Sequence, residues 1–481
     1  MNVRRIFKST ARLLEIEALI LIIPLICSFI YKEPWAFKRA FILSIVILLA
    51  VSLPFEKVPM KSRKVYAKEG FIIVTLSWIL IAFFGGLPLY FSGQYSSLID
   101  TFFELASGFT TAGSSVLSDV SGLKHSIIMW KAISQAIGGM GILVFALAIL
   151  PNSDKESLYL MRAESPGPKF GKLVSKLKNS AIILYKMYFA IIAGLILALI
   201  LAGMSPFDAI THALETAGTG GFSIYNGSVG YYNNLAIEII IGIGMLIFSI
   251  NFSLYYLFLL NKGKNFFKSE ELRWFLAIVG ISTLLITLNI APQLGFGQGL
   301  RHAFFTVSSI ISTTGFTSID YNDWPLFSHL ILLLLMIIGG MAGSTAGGLK
   351  VIRVSASIKS AINELKKASN PKRVLKLKYD GKVIDDEYLL SIKNYFTMYF
   401  VIFFVLLLFV SFDLKDFMSA FSAVATTFNN VGPGIGSVGP SSSFGMLSDF
   451  NKILLSFGMI AGRLEIIPMI ILFSPKTWKK I

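Results

Sequence analysis

The sequence predicts an all-α membrane protein that crosses the bilayer many times. Of its 481 residues, 54% are hydrophobic and only 15% are charged, a balance typical of polytopic membrane proteins. Apolar stretches long enough to cross a hydrocarbon core of about 30 Å as helices recur along the chain. Four short polar turns that end in glycine recur at intervals of roughly 100 residues, which indicates internal repeats. Together these observations predict ten spans and four re-entrant helices, with four repeats arranged around one axis.

The predicted elements follow in chain order. Residues 1–56 form an N-terminal segment of two spans, and the repeats cover residues 57–153, 154–264, 265–370 and 371–481. Each repeat is predicted to contain a span, a short re-entrant helix that ends at a glycine turn, and a second span. The predicted spans lie near residues 19–30, 35–53, 70–91, 127–150, 182–201, 235–260, 273–290, 326–338, 394–412 and 453–473. Asp100 and Asp208 are expected to cap the first two short helices, and residues 359–393 to form a polar cytoplasmic helix or hairpin.

The four turns share a physical use. They are Thr110-Thr111-Ala112-Gly113, Gly218-Thr219-Gly220-Gly221, Ser312-Thr313-Thr314-Gly315 and Asn429-Asn430-Val431-Gly432. Glycine tolerates backbone angles that let neighbouring carbonyl oxygens point the same way, and four such turns around an axis could replace the water shell of a dehydrated cation. The alternative is that these small residues only allow close helix packing. The repeated succession of span, short helix, turn and span favours an ion path.

Two features interrupt otherwise apolar spans. From Gly339 to Gly348 every residue except Met341 is Gly, Ala, Ser or Thr, and each glycine destabilises a helix by about 1 kcal/mol relative to alanine. This segment should therefore be broken or coiled at membrane depth, where it is tolerated only against protein or a watery cavity; a tight helix crossing is the alternative. Arg463 lies in the last predicted span, where a charge indicates a functional group or a structural pair with a carboxylate or carbonyls.

Other classes of site are excluded. Lys350 comes one position too late after Gly343 and Gly348 for a phosphate-binding loop, and Gly434-Ile-Gly-Ser-Val-Gly439 lacks the strand and helix of a dinucleotide site. The four histidines are too scattered for a metal cluster, and no catalytic acid/base set is evident, so an enzyme is not expected. The single cysteine, Cys27, rules out an internal disulfide.

The net charge of +16 follows a membrane pattern. Most of the 43 Lys and Arg fall in the two termini and in alternate loops, the positive-inside asymmetry that predicts cytoplasmic termini. Anionic lipid headgroups or an acidic partner surface are the expected use of this charge, and a nucleic-acid partner is not.

With the segments Gly339–Arg353 and Met459–Glu465, the four turns resemble the ion-translocating membrane subunit of the bacterial Trk/Ktr/HKT potassium transporter superfamily, over nearly the whole chain. The resemblance implies potassium uptake through one pore, with the turns as selectivity filter, Arg463 as an electrostatic barrier and no cofactor. It implies a gate loop made of Gly339, Gly340, Gly343, Ser344, Thr345, Gly347, Gly348 and Lys350. It further implies a homodimer in a bacterial or archaeal cell membrane, controlled by a separate cytoplasmic nucleotide-binding subunit of the RCK type.

Two departures from the family pattern concern the turns. Ala112 stands where the first turn often has threonine, and Asn429-Asn430-Val431 replaces hydroxyl residues in the fourth. Neither removes a ligand, because the expected ligands are backbone carbonyls, but selectivity could change. A sodium-permeable transporter, or one coupled to sodium or protons, therefore remains open. A solute symporter fits less well, since its repeats are often inverted whereas these run in the same topology.

Overall fold

The computed structural model describes residues 3–56, 67–141, 177–260, 266–370 and 375–478. Its helices are Val3–Ile20, Ile22–Ile30, Trp35–Glu56, Ala67–Gly85, Leu87–Phe91, Leu98–Thr110, His125–Met140, Leu177–Leu201, Pro206–Gly218, Leu235–Phe248, Phe252–Leu260, Glu270–Leu294, Phe296–Ile311, Leu326–Ile338, Val351–Ser369, Asp386–Val410, Phe417–Asn429, Asp449–Arg463, Ile467–Phe473 and Pro475–Trp478. One antiparallel hairpin pairs Lys378–Tyr379 with Lys382–Val383. The predicted polar stretch 359–393 thus contains a helix end and a hairpin. The end of the predicted span 127–150 and most of the basic loop after it lie outside the described residues.

Within the described ranges, six helices are long and apolar enough to cross a membrane. Leu235–Phe248 and Phe252–Leu259 form a further candidate span that bends by 90°, so the prediction of one continuous helix over 235–260 is wrong. The predicted span 453–473 is also broken, between Arg463 and Ile467. Pro468 lacks the amide hydrogen that would continue the helix from Leu464, and Glu465 and Ile466 adopt positive φ angles of 58° and 70°.

The four short helices are Leu98–Thr110, Pro206–Gly218, Phe296–Ile311 and Phe417–Asn429. The capping residues of the first two differ from the prediction. The caps are serines and not the predicted aspartates. The Ser97 side chain accepts a hydrogen bond from the backbone amide of Asp100, and the Ser205 side chain accepts one from the backbone amide of Asp208. The Asp100 carboxylate instead pairs with Lys452 at 2.7 Å. A serine capped to the third residue of the helix satisfies one of the four orphan amides at a helix start.

Replacing Ser97 by alanine is expected to lower the stability of the protein by about 1 kcal/mol, because the Asp100 amide loses its acceptor. The measurement is the apparent melting temperature in detergent. The matched control is Ser411→Ala, since the Ser411 hydroxyl only donates to Leu408 of its own helix. Equal melting temperatures for the two variants would contradict the capping role.

The N-terminal helices pack on the rest of the protein through one hydrophobic core. Phe41 from the N-terminal segment, Trp78 and Trp130 from repeat one, and Phe403 from repeat four belong to the same buried cluster. Trp130 also donates from Nε1 to the carbonyl oxygen of Gly85 at 2.8 Å. The core therefore joins the beginning and the end of the chain around the first short helix.

Candidate functional site

The four predicted turns share one backbone conformation. The residue two positions before each glycine is left-handed, with φ of 61° at Thr111, 55° at Thr219, 57° at Thr313 and 57° at Asn430. The four glycines also have positive φ, with 74° at Gly113, 63° at Gly221, 87° at Gly315 and 108° at Gly432. Positive φ is uncommon for any residue but glycine and a genuine outlier for β-branched threonine. Three threonines in this conformation at equivalent places indicate that the surrounding structure imposes it.

The same hydrogen bond ends each short helix. The amide after the left-handed residue donates to a carbonyl of the preceding helix: Ala112 to Ser107 at 2.8 Å, Gly220 to Glu215 at 3.0 Å, Thr314 to Ser309 at 2.9 Å and Val431 to Thr426 at 2.8 Å. This is the closure of a Schellman motif, in which a left-handed residue ends the helix. The amides of the turns thus point back to their own helices.

The structure brings the four turns together in a closed ring. A methyl group built on Gly113 would lie 1.9 Å from the carbonyl oxygen of Gly220, and one on Gly221 would lie 1.9 Å from that of Thr314. The corresponding distances are 2.3 Å from Gly315 to Val431 and 3.1 Å from Gly432 back to Ala112. Each glycine therefore lies against the residue that precedes the glycine of the next turn. Any larger residue at the three closest contacts would push the ring apart.

A second connection joins the segments that leave turns one and two. Asn226 donates from Nδ2 to Oδ1 of Asp119 at 2.8 Å and accepts from the amide of Val120 at 2.9 Å. Hydrogen bonds from Ser121 and Asn226 lower the pKa of the exposed Asp119 to about 2. Asp119 therefore stays ionised well into the acidic range and carries a negative charge in the segment that leaves turn one.

The glycine-rich segment is coiled. Residues 339–350 form no helix between Leu326–Ile338 and Val351–Ser369, as the composition predicts. The amide of Gly347 donates to Oγ1 of Thr313 at 2.7 Å, and a methyl group on Gly347 would lie 2.1 Å from the carbonyl oxygen of Asn429. The segment therefore packs directly against turns three and four.

Hydrogen bonds to the broken helix hold the middle of this segment. Met341 donates to the carbonyl of Ser249 at 3.0 Å, and Gly343 accepts from the amide of Phe252 at 3.0 Å. Thr345 donates from Oγ1 to the carbonyl of Phe248 at 3.0 Å. These bonds replace the helical ones that are lost where Leu235–Phe248 gives way to Phe252–Leu260. The unpredicted helix break at residues 249–251 is therefore held by hydrogen bonds to the predicted coiled segment.

The remaining residues of the predicted gate loop fold the segment on itself. Ser344 donates from Oγ to the carbonyl of Met341 at 2.6 Å, and Gly340 accepts from the amide of Val351 at 3.0 Å. A methyl group on Gly339 would lie 2.2 Å from the carbonyl oxygen of Gly347 and 2.8 Å from the Cα of Gly348. The ammonium group of Lys350 donates to the carbonyl of Ala346.

Arg463 connects this segment to helix His125–Met140. Its guanidinium group donates to the carbonyl of Thr345 at 2.7 Å and to the carbonyls of Gly138 and Gly139 at 2.7 and 2.6 Å. The structure thus places Arg463 on backbone carbonyls of two other elements. Glu465 lies beyond the helix end and forms an ion pair with Arg353 at 2.7 Å.

Several buried charged residues beside these elements, among them Glu271, Glu104 and Lys131, were missed from the sequence. Glu271 accepts from the amides of Ala342 and Ile352 at 2.8 and 3.2 Å, at the two ends of the coiled segment. Glu104 and Lys131 form an ion pair of 2.6 Å, with side chains that are 0% and 3% exposed. An ionisable residue in an otherwise apolar helix is the signal that could have identified them. The same signal identified Arg463.

Comparison with known proteins decides the family. The family described as TrkH, cation transport protein, matches residues 37–480. The chain belongs to the TrkH family. It is 35% identical over 492 residues to the Trk system potassium uptake protein TrkH of Escherichia coli (strain K12), with 100% of both chains covered. It is 34% identical to TrkG of the same organism, with 99% of both covered.

A solved structure of this family shows the same fold. The crystal structure of the potassium transporter TrkH from Vibrio parahaemolyticus is 31% identical, matches with a TM-score of 0.89 and covers 100% of both chains. This confirms the resemblance drawn from the turns, and it confirms an all-α polytopic membrane protein. The TrkH family transports cations, so the chain is a transporter and not an enzyme.

Proposed function

We propose that this protein takes up potassium across the cell membrane, with the ring of four turns as its selectivity filter. The observation that carries the proposal is the cyclic contact from each glycine to the next turn, combined with the same left-handed residue in all four turns. In this proposal, backbone oxygens of all four turns face the axis of the ring. Relatives at 35% and 34% identity over the whole chain are potassium uptake proteins by name.

The ligands in this proposal are backbone carbonyls, so the side chains of the turns matter less than their conformation. Ala112 and Val431 lack a side-chain hydroxyl but still supply carbonyl oxygens. The four short helices end at the ring, and the negative end of each helix dipole stabilises a cation there. A ring made of one short turn from each of four segments forms one or two well-defined cation-binding sites, which is fewer than a longer selectivity filter forms.

We further propose that the coiled segment 339–348 is the gate and that Arg463 is the barrier in the pore. The contact of Gly347 with turns three and four puts the segment beside the proposed filter. Arg463 holds the segment through Thr345. A fixed positive charge in a narrow path of low dielectric constant repels a passing cation more strongly than in water.

The proposed assembly is a homodimer with cytoplasmic termini, organised as an N-terminal pair of spans and four repeats in the bacterial or archaeal cell membrane. The excess of Lys and Arg in the termini and alternate loops supports this orientation. The relatives' names place them in a Trk system, which supports control by a separate cytoplasmic nucleotide-binding subunit of the RCK type.

The test is cation uptake. Expression should restore growth of potassium-uptake-deficient cells at low external potassium, and the purified protein in liposomes should take up rubidium, a potassium tracer. Excess potassium should suppress this uptake far more than excess sodium. Equal suppression by sodium would support the sodium-permeable alternative, and absence of rubidium uptake together with absence of growth would refute the proposal.

A further inference from the structure

A buried ion pair lies behind the first two turns. Glu104 is in the middle of the first short helix, and Lys131 comes from the neighbouring helix His125–Met140. Their charged groups are 2.6 Å apart and almost fully buried. A buried ion pair is often no more stabilising than apolar residues of the same size. Stability alone therefore does not account for its presence here.

Glu104 holds the segment that leaves the first turn. Its Oε1 accepts from the hydroxyl of Ser115 at 2.9 Å, and its Oε2 accepts from the amide of Val116 at 3.0 Å. These residues closely follow Gly113. With Lys131 as a third donor, both carboxylate oxygens are occupied, and the direction in which the chain leaves turn one is fixed.

Lys131 extends the connection to the second turn. Its ammonium nitrogen lies 4.1 Å from the ring centroid of Phe222, the residue directly after Gly221. A cation over an aromatic face is attracted to it, and more strongly when both are shielded from water. Glu104 and Lys131 therefore link the residues that leave turn one to those that leave turn two.

The second short helix makes a related contact. His212 occupies the position equivalent to Glu104, counted back from the glycine of its own turn. Its ring stacks on Phe316, directly after Gly315, with centroids 5.4 Å apart and planes inclined by 25°. Glu104 and His212 thus each reach the phenylalanine that follows the glycine of the next turn. Glu104 reaches Phe222 through Lys131, and His212 contacts Phe316 directly.

We propose that Glu104 and Lys131 are positioning residues that set the spacing between turns one and two, and thereby the choice of potassium over sodium. This inference rests on the proposed filter function. The contact between turns one and two that the pair supports is among the closest in the ring, since a methyl group on Gly113 would lie 1.9 Å from the Gly220 carbonyl oxygen. Small changes in this spacing would change how well the carbonyls fit a dehydrated ion.

The test compares Glu104→Gln with the double variant Glu104→Gln/Lys131→Met in liposomes. Glu104→Gln removes the carboxylate that forms the 2.6 Å ion pair with the buried Lys131 ammonium, so both stability and selectivity should fall. The double variant removes that charge and should regain thermal stability. It still lacks the link to Phe222, so its ratio of rubidium to sodium uptake should stay about tenfold or more below that of the unaltered protein, a loss of about 1.4 kcal/mol of discrimination.

The control is Glu238→Gln. It makes the same change in a different ion pair, formed by Glu238 and Arg301 with their charged groups 2.6 Å apart. The ratio of rubidium to sodium uptake of this variant should be unaltered. A stable double variant with the original ratio would show that the pair is only structural and would overturn the inference. Equal losses of selectivity in the double variant and in Glu238→Gln would overturn it too. If the unaltered protein itself shows no preference for rubidium, the filter proposal fails instead.

Discussion

Replacing Gly113 by alanine is expected to lower selective cation uptake at least tenfold. The added methyl group would lie 1.9 Å from the Gly220 carbonyl oxygen and 3.1 Å from its carbonyl carbon, so turn one or turn two must move. Since a displacement that costs the bound ion about 1.4 kcal/mol already means a tenfold loss, rubidium uptake should fall by at least that factor. Uptake per folded molecule in liposomes, with competing sodium, measures the effect. Gly315→Ser should act in the same way, because its methyl position lies 2.3 Å from the Val431 oxygen.

The chain offers a matched control at Gly93. Its φ of 76° is close to the 74° of Gly113, but a methyl group there would meet nothing within 4 Å. Gly93→Ala therefore carries the same backbone strain without the contact and should transport normally. Gly434, outside the ring, is a poorer control, since its methyl position lies 2.7 Å from Val438. If Gly93→Ala and Gly113→Ala lost uptake to the same extent, strain rather than ring geometry would be responsible.

Replacing Arg463 by alanine is expected to raise uptake by about tenfold, because it removes a positive charge from the proposed ion path. It also frees the Thr345 carbonyl of the coiled segment. The measurement is rubidium uptake per folded molecule, with folding judged by size-exclusion chromatography. Well-folded protein that transports no faster than the original would contradict the barrier role.

Arg463→Lys separates the two causes of this increase. Lysine keeps the charge, but a compact ammonium cannot reproduce the planar guanidinium that spans Thr345, Gly138 and Gly139. If charge is the barrier, the lysine variant should stay slow while alanine is fast. If the hydrogen bonds hold the gate shut, both should be fast. Arg301→Ala, which breaks the ion pair with Glu238, should lower stability without raising uptake.

The features predicted correctly from the sequence are those that depend on local chemistry. The concentration of glycine in 339–348 is unfavourable for a helix wherever it lies, and the segment is coiled. The turns were recognisable because their glycines repeat in register.

The features that were missed depend on partners distant in the chain. The break of the helix over 249–251 is supported by hydrogen bonds with the amide of Met341 and the carbonyl of Gly343, which no local pattern reveals. Asp100 was expected to cap a helix but pairs with Lys452, and Ser97 takes its place at the helix start. The carbonyl partners of Arg463 and the pairing of Glu104 with Lys131 likewise required the tertiary structure.

The ring cannot close during synthesis until its fourth turn has been added to the chain. Turn one meets turn four, where the Ser114 hydroxyl donates to the Gly432 carbonyl at 3.1 Å, across 318 residues of chain. Ribosomes add about 5–20 residues per second, so turn one waits for tens of seconds before its last neighbour exists. A nascent chain that holds only the first three repeats has an open ring without the Gly432 contact. The proposed ion path is therefore completed only after turn four has been synthesised.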